Sequence, residues 1–167
     1  MTDAGRPFTA ERYRLTATVE LRALRDGEEQ VIAARLAEMD PWRSLGSTPE
    51  GLERYLIRHD PCLHRYALWQ EDRLIGLIAV RTPWLLGSYL ELLGVFEEAQ
   101  GQGIGCRLIE WLVAEGARVG ANLWTTVSAS NQRARCFYEQ HGFVPIGDIP
   151  NLIRAGSTEI LLRRPLT

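Results

Sequence analysis

Apolar and polar positions divide the first third of the chain into three short elements with clear breaks between them. Branched and aromatic residues at 13–19 predict a strand. Apolar residues recur at helical spacing over 28–39, which predicts a helix that ends at the Asp-Pro pair at 40–41. The Thr-Pro pair at 48–49 is a typical helix start, so a second helix is expected there, ending at 60–61.

The middle of the chain is typical of a sheet. Residues 66–70 and 74–80 flank a tight turn and predict an antiparallel hairpin. Residues 74–80 are apolar at almost every position, so both faces of that strand should be covered. A further buried strand is predicted at 89–95. It leads into a glycine-rich turn and then into a helix that Gly120 closes.

The remaining apolar segments predict a strand at 123–127, a helix at 131–141, and strands at 143–149 and 159–162. The predicted order is therefore β-α-α-β-β-β-α-β-α-β-β, an α/β (α+β) class with helices on both faces of one mixed sheet. The length of 167 residues fits a single domain. We expect that domain to span residues 1–167, with a loose start at 1–10.

The composition excludes several kinds of enzyme. All 19 basic residues are arginine and none is lysine, against 21 acidic residues. A P-loop NTPase places a lysine on its phosphates, and a protein kinase places one under its glycine-rich loop. Pyridoxal enzymes and Schiff-base aldolases use lysine as the covalent residue. These chemistries are closed to this chain unless a partner supplies the lysine.

Net charge and cysteine content give no indication of nucleic acid, an anionic membrane or a metal as a partner. The net charge of -2 gives no electrostatic reason to expect nucleic acid or an anionic membrane surface as a partner. The three cysteines are odd in number and widely spaced, and neither they nor the three histidines have a metal-site spacing. The apolar runs are too short to span a bilayer, and the start lacks the features of a signal peptide. We therefore expect a cytoplasmic protein without a metal.

The sharpest local feature is a glycine-rich turn between a buried strand and a helix. It has the sequence Gln100-Gly101-Gln102-Gly103-Ile104-Gly105. Successive main-chain N–H groups at a helix start form an anion site, and the helix dipole reinforces it. Such a site binds phosphate without lysine. The alternative is an ordinary flexible connection, and the spacing does not fit the dinucleotide pattern G-x-G-x-x-G.

The turn resembles the acetyl-CoA signature of the GNAT N-acetyltransferase superfamily, Arg/Gln-x-x-Gly-x-Gly/Ala. Gln100, Gly103 and Gly105 fill that signature. Asn131 at the start of a later helix and the segment 137–143 extend the resemblance, which covers about residues 74–143. It implies a mostly antiparallel central sheet and acetyl-CoA as co-substrate.

The resemblance also assigns roles to residues. The CoA pyrophosphate would lie on the amides of Gln100, Gly101, Gln102, Gly103, Ile104 and Gly105. The pantetheine arm would pair with the strand ending Leu93-Gly94-Val95, which separates from the next strand, and Asn131 would hold that arm. Glycine at 94 fits a close approach of another backbone. Tyr138 would face the sulfur and protonate the leaving thiolate; the alternative is that Tyr138 only packs in the core.

Glu91 is the candidate general base, because it is the single charge in the apolar strand 89–95. The period of two places it on one face with Tyr89, Leu93 and Val95. A carboxylate there is costly unless it is paired or faces a wet cleft. The alternatives are an arginine salt bridge or an exposed strand end.

One position departs from the relatives that the chain broadly resembles, the ribosomal-protein alanine N-acetyltransferases. Their glutamate base lies in the strand before the asparagine helix, and Thr126 occupies its place here. The departure puts protein N-termini in doubt as acceptors and leaves open a water chain as the route for the proton. The resemblance implies direct transfer to a primary amine of a small molecule or a protein N-terminus.

A non-catalytic acyl-CoA-binding or sensor domain of the same fold remains the alternative function. Trp42, Trp84 and His64 are candidates for lining the acceptor pocket. A homodimer is also possible, since dimers are common among the relatives, and the strand at 159–162 is the candidate edge for it.

Overall fold

A computed structural model describes residues 6–166. Its elements are, in chain order, β1 (Arg12–Arg14), β2 (Val19–Ala23), α1 (Glu28–Ala37), α2 (Pro49–Ile57), β3 (Leu63–Gln70), β4 (Arg73–Trp84), β5 (Gly87–Val95), a 3₁₀ turn (Glu97–Ala99), α3 (Ile104–Gly116), β6 (Asn122–Ser128), α4 (Gln132–Gln140), β7 (Val144–Pro150) and β8 (Thr158–Pro165). The predicted mixed α/β class and its order of elements are confirmed, apart from one additional strand at the start.

The eight strands form one sheet in the order β1-β2-β3-β4-β5-β6-β8-β7. Neighbouring strands are antiparallel except for β5 and β6, which are parallel. The predicted hairpin is present as β3 and β4, paired from Leu63 with Arg81 to Gln70 with Arg73. The mostly antiparallel sheet implied by the resemblance is therefore confirmed.

The two faces of the sheet are covered by different helices, and β4 shows the division most clearly. Ile78 and Val80 belong to the cluster that includes α3 and α4, whereas Leu77 and Ala79 belong to the cluster that includes α1 and α2. All four side chains are fully buried. The prediction that both faces of this strand are covered is confirmed, because α1 and α2 lie on one face and α3 and α4 on the other.

The single strand predicted at 13–19 is wrong, because the chain turns back between β1 and β2. The Thr16 hydroxyl accepts hydrogen bonds from the amides of Thr18, at 3.2 Å, and Val19, at 3.0 Å. This local side-chain bonding competes with an extended conformation. The branched residues alone therefore predicted one strand, where the structure has two short strands joined by a turn.

The described part of the predicted loose start, residues 6–10, is packed and hydrogen-bonded. Residues 1–5 of the predicted segment 1–10 lie outside the described residues. Phe8 is 1% exposed and its ring meets Trp111 edge-on at 5.3 Å. Its amide donates to Glu115 at 2.9 Å. Aromatic packing and this hydrogen bond tie residues 6–10 to α3.

The strand proposed as a dimer edge lies inside the sheet. β8 pairs with β6 on one side and with β7 on the other, so residues 159–162 have no free edge. The edge at that end of the sheet is β7 instead. The expectation was wrong because sequence order does not reveal that the last strand inserts between two earlier ones.

Candidate active site

The site is a gap in the sheet between β5 and β6. Their pairing ends at Leu90 and Thr125, although β5 continues to Val95 and β6 to Ser128. A cavity of about 180 Å³ lies beside the unpaired ends. Its walls include side chains of both strands, of α4 and of the segment after α1. The separation of β5 from the next strand, expected from the resemblance, is present at this point.

A bulge in β5 changes the expected direction of its side chains. Val80 pairs with Leu90 and Ala79 with Leu92, so Glu91 is an extra residue. Leu93 and Val95 pack against the core on the α3 and α4 face. Because Glu91 contacts Arg81, whose partner in the ladder is Tyr89, Glu91 and Tyr89 lie on the other face. The prediction that Glu91 shares a face with Leu93 and Val95 is wrong.

The glycine-rich turn adopts the conformation that its glycines permit. Gly101 has a φ of 74° and Gly103 a φ of 75°, which are left-handed values that favour glycine. A Cβ at either position would meet nothing within 4 Å, so the outer side of the turn is open. Gly103 caps α3, whose first hydrogen bond runs from the Arg107 amide to the Gly103 carbonyl. The amides of Ile104 and Gly105 precede this bond and point out of the helix start.

Side chains hold the turn in place at both ends. The side-chain nitrogen of Gln100, Nε2, donates to the Val95 carbonyl at 2.8 Å, which ties the turn to the end of β5. The Gln102 side chain bonds Gln70 at 2.9 Å on the outside. A Cβ at Gly105 would lie 3.1 Å from the Phe137 ring, so α3 and α4 approach closely there. The turn is thus fixed next to the gap in the sheet.

Gly94 lies against side chains on the α1 and α2 face of the sheet. A Cβ there would lie 2.6 Å from Leu36 and 3.1 Å from Trp42. The glycine therefore admits side chains of α1 and of the segment that follows it. The sequence analysis did not identify this reason for a glycine at 94, and the expected approach of another backbone stays a prediction.

Tyr138 lies on α4 and lines the cavity. Its side chain is 8% exposed, and burial raises the pKa of its phenol to about 12, while the Thr125 hydroxyl acts in the opposite direction. The phenol is therefore protonated at neutral pH and can donate a proton into the gap. Its ring also packs edge-on against Phe143 at 5.4 Å, so the core contact weighed as the alternative is present as well.

Asn131 caps α4 and also lines the cavity. Its side-chain oxygen accepts a hydrogen bond from the Ala134 amide at 3.1 Å. This use of the oxygen fixes the amide group, because an N-cap has one preferred geometry. The amide nitrogen remains as the group that can donate into the cavity.

Glu91 lines the cavity and is also paired. Arg81 donates to its two carboxylate oxygens at 2.6 and 3.3 Å and to Asp60 at 2.9 Å. The hydrogen bonds to Glu91 and Asp60 raise the pKa of Arg81. The salt bridge that we weighed as an alternative for Glu91 is therefore present. Its role as a base is a separate matter that the pairing leaves untested.

Thr126, which the resemblance aligns with the relatives' glutamate, lines the cavity. Its hydroxyl lies 2.9 Å from the Tyr89 hydroxyl. Burial raises the pKa of Tyr89, and the negative charges of Glu91 and Glu159 raise it further. Tyr89 is therefore close to both carboxylates of the cavity.

Glu159 is a cavity residue that the sequence analysis did not select. It lies on β8, is 2% exposed, and accepts a hydrogen bond from the Ser128 hydroxyl at 2.8 Å. The signal that singled out Glu91 applied equally here, since Glu159 is the one acidic residue in the apolar segment 158–162. It was missed because the strand was interpreted as an edge.

The three candidates for the acceptor pocket lie in different places. Trp42 lines the cavity. Trp84 lies behind it, stacked on Tyr89 with ring centroids 4.8 Å apart. His64 lines a separate cavity of about 560 Å³ between the start of the chain and α2. Of these three candidates, Trp42 alone lines the cavity at the gap.

Within residues 6–166, no group of three or more His, Cys, Asp or Glu side chains is placed to hold a metal ion. No helix of the described chain is long and apolar enough to cross a membrane. The three cysteines are free, and Cys106 and Cys136 are exposed.

A sheet that opens between two parallel strands, with a glycine-rich helix start at the opening, is the arrangement that the resemblance to the N-acetyltransferases implies. The family follows from a direct match. The family model described as the acetyltransferase (GNAT) family matches residues 29–143, so the chain belongs to that family of N-acetyltransferases.

Two curated proteins are similar in sequence to part of this chain. A mycothiol acetyltransferase from Jonesia denitrificans is 38% identical over 79 residues, which are 46% of this chain and 25% of that protein. A 5-NmdU N-acetyltransferase from Pseudomonas phage PaMx11 is 36% identical over 69 residues, 41% of this chain and 46% of that protein. The matches thus span less than half the length of either relative.

Solved structures share the fold over most of the chain. A Salmonella typhimurium acetyltransferase that modifies the N-terminal serine of L7/L12 has a TM-score of 0.76 at 16% identity, covering 93% of this chain and 99% of that one. The spermidine N-acetyltransferase of Vibrio cholerae, solved with CoA and spermine, scores 0.70 at 19% identity, covering 90% and 97%. The ribosomal-protein-S18-alanine N-acetyltransferase of Escherichia coli scores 0.70 at 21% identity, covering 89% and 94%. At these identities the likeness concerns the fold alone.

Proposed function

We propose that the protein transfers an acetyl group from acetyl-CoA to a primary amine, by direct attack in a ternary complex. The observation that carries the proposal is the gap between β5 and β6. At this gap lie the buried, protonated phenol of Tyr138, the unpaired end of β5 and the open, glycine-rich start of α3. Family membership and the CoA complex of the Vibrio cholerae relative support this choice of co-substrate.

The proposed place of CoA follows from main-chain groups. Its pyrophosphate would accept hydrogen bonds from the amides of the turn 100–105, at the positive end of α3. The pantetheine arm would run along the unpaired part of β5 at 93–95, as an added strand does, with Asn131 as a further donor. No lysine is needed at any of these contacts.

The proposed chemistry requires a neutral amine and a protonated leaving group. The acceptor ammonium first loses one proton, and its nitrogen then attacks the thioester carbon and displaces the sulfur. The thiolate takes a proton from Tyr138, and the second nitrogen proton, released as the amide forms, restores the phenol. Glu91 remains a predicted base, and Arg81 donates one hydrogen bond to each of its oxygens.

The acceptor is proposed as a small-molecule amine or a protein N-terminus. Fold relatives act on both kinds of acceptor, since one is a spermidine N-acetyltransferase and another modifies the N-terminal serine of L7/L12. We further propose a cytoplasmic protein, in line with its free thiols. A homodimer remains a prediction, and β7 is the edge now available for it.

Thiol release tests the proposal directly. With acetyl-CoA, the protein should release CoA thiol when it is given at least one member of a panel of primary amines. Saturating CoA should also raise the melting temperature, because a ligand that binds only the folded state stabilises it. A rise in melting temperature without turnover of any amine would instead favour the non-catalytic CoA-binding domain. The absence of both effects would contradict CoA binding itself.

A further inference from the structure

The gap contains one buried carboxylate to which the proposed mechanism gives no role. Glu159 is 2% exposed, yet it lines the cavity together with Tyr138 and Asn131. Its partner in the ladder is Ser128, whose hydroxyl donates to one of its two oxygens at 2.8 Å. A buried carboxylate with so little compensation is costly unless a cation occupies the space beside it.

The register of β6 and β8 shows which side Glu159 faces. Val127 and Ile160, the neighbours of the Ser128–Glu159 pair, belong to the core on the α3 and α4 side. Successive side chains of a strand point to opposite faces. Glu159 therefore points to the side of α1 and α2, opposite to the helix start proposed for CoA. An acceptor has to enter the gap from that side.

The other carboxylate of the cavity differs from Glu159 in its pairing. Glu91 receives two hydrogen bonds from Arg81. Within residues 6–166, no arginine or histidine forms an ion pair with Glu159. The charge of Glu91 is thus compensated by the protein, while that of Glu159 is available to a ligand.

An aromatic ring completes the pocket on the same side. Trp42 lines the cavity, and its ring approaches the backbone at Gly94. The face of a tryptophan attracts an ammonium group, and it also packs against alkyl chains. A carboxylate and an indole on one wall suit an alkylammonium ion better than a neutral or anionic acceptor.

We propose that Glu159, in place of Glu91, binds the ammonium group of the acceptor and accepts the proton that this group must lose before it attacks. The inference rests on the proposed N-acetyltransferase function and names its substrate class, primary amines that are cationic at neutral pH. In the step before attack, the ammonium gives one proton to the Glu159 carboxylate and becomes the neutral amine. After transfer, the carboxylic acid releases that proton to water.

Glu159→Gln tests this role by comparing acceptors that differ in charge. The cationic probes are n-hexylamine and a short peptide with a free alanine N-terminus, and the neutral probe is aniline. For the cationic probe with the higher wild-type rate, kcat/KM should fall about 100-fold or more, within the range of general base catalysis. Aniline needs neither a counter-charge nor deprotonation before it attacks, so its kcat/KM should change less than about threefold. Glu159→Asp, which retains the charge, should recover part of the loss.

Controls separate this role from a structural one. Glu139→Gln removes an exposed carboxylate one residue from Tyr138 and should leave all rates unchanged. If Glu159 only supports Ser128, Glu159→Gln will slow cationic and neutral amines equally, and that result would overturn the inference. Wild-type turnover of aniline at or above the rate of the cationic amines would overturn it as well.

Binding of n-hexylamine to the CoA-loaded protein, measured by calorimetry, keeps the two proposals apart. Binding that is lost in Glu159→Gln without any wild-type turnover would remove the proposed enzyme and leave the ammonium site. Turnover that does not depend on Glu159 would leave the enzyme and remove the ammonium site. If the wild type neither binds nor acetylates any of these amines, the ammonium site is wrong, and the enzyme is wrong as well if the wider amine panel gives no thiol release.

Discussion

The two sides of the gap in the sheet offer different kinds of chemical group. On the proposed CoA side, the polar groups are main-chain groups of the segments 93–95 and 100–105 together with the side-chain amide of Asn131, and none of these residues is charged. On the acceptor side, the polar groups are side chains from three strands: Glu91 of β5, Thr126 of β6 and Glu159 of β8. The CoA side depends mainly on backbone conformation, and the proposed acceptor side depends on side-chain identity.

This difference shows where specificity can change. A substitution alters a main-chain site only if it changes the backbone or fills the space in front of it, so such a site suits a ligand common to many relatives. A side-chain site changes with a single residue, as Thr126 illustrates by standing where the resemblance places a glutamate. The absence of lysine is compatible with the first kind of site and leaves the second to carboxylates, hydroxyls and rings.

Tyr138 lies between the two sides, and its removal should give the largest effect. Tyr138→Phe keeps the ring in the core and removes the proton donor, so we expect kcat to fall by a factor of about 10²–10⁴. The Kd of CoA, measured by calorimetry, should stay within about threefold, because the turn is untouched.

Tyr66→Phe is the matched control for Tyr138→Phe. Tyr66 is buried on β3, where burial also raises its pKa, and its hydroxyl donates to the Phe8 carbonyl at 2.7 Å. Its loss should lower stability without lowering kcat in the folded protein. A normal kcat in Tyr138→Phe would remove the acid role and leave Tyr138 as a core residue.

The main-chain side should be sensitive to one glycine. Gly103→Val places a branched side chain at a φ of 75°, on the open outer side of the turn where phosphate is proposed to bind. The loss of two hydrogen bonds to a charged group predicts a CoA Kd about 100-fold higher.

Gly27→Val controls for the backbone strain of Gly103→Val. Gly27 has a φ of 92°, also precedes a helix and is equally open, but it lies before α1, away from the turn. It should therefore lower stability without a change in CoA affinity. An equal effect of both substitutions on CoA binding would mean that the turn is not the anion site.

The same difference explains how much the sequence predicted. The turn 100–105, the helix start at Thr48 and the cap at Asn131 are local, so their residue types indicated them, and the Thr48 hydroxyl does cap α2 at 3.1 Å. The bulge at Glu91 and the insertion of β8 depend on pairing between distant segments. No local pattern encodes such pairing, and for this reason Glu159 was missed and Leu93 was placed on the wrong face.

Local composition also misled where a polar group bonds within its own segment. Thr16 has a high strand propensity, but its hydroxyl forms the turn that separates β1 from β2. Strand propensity describes how well a side chain suits a pleated surface, so it does not predict such a turn. The class of fold was predictable because it depends on long apolar elements that tolerate errors of this kind.

The smallest effect concerns the charges behind the acceptor side. Hydrogen bonds from Arg81 and from the Cys62 amide hold the pKa of Asp60 below its ordinary value of 3.8. A carboxyl group whose pKa is lowered by folding stabilises the protein above its unfolded pKa, and this contribution is lost as the pH falls through the folded pKa. Asp60→Asn should therefore lower the Tm modestly at pH 7, and the difference from wild type should shrink as the pH falls below about 4.

Melting curves of Asp60→Asn and wild type between pH 7 and the acid limit of folding would measure this change, with Asp148→Asn as an exposed control. A Tm difference that stays constant across that range would show that the charge of Asp60 is not the source of its contribution, and equal Tm values at pH 7 would show that the hydrogen bond from the Cys62 amide, which a neutral oxygen can also accept, is sufficient. A difference that shrinks would show that the charge of Asp60, paired with Arg81, stabilises the fold. In that case kcat/KM for a cationic amine should change little in Asp60→Asn, because Glu159 and not the Arg81 network would bind the ammonium.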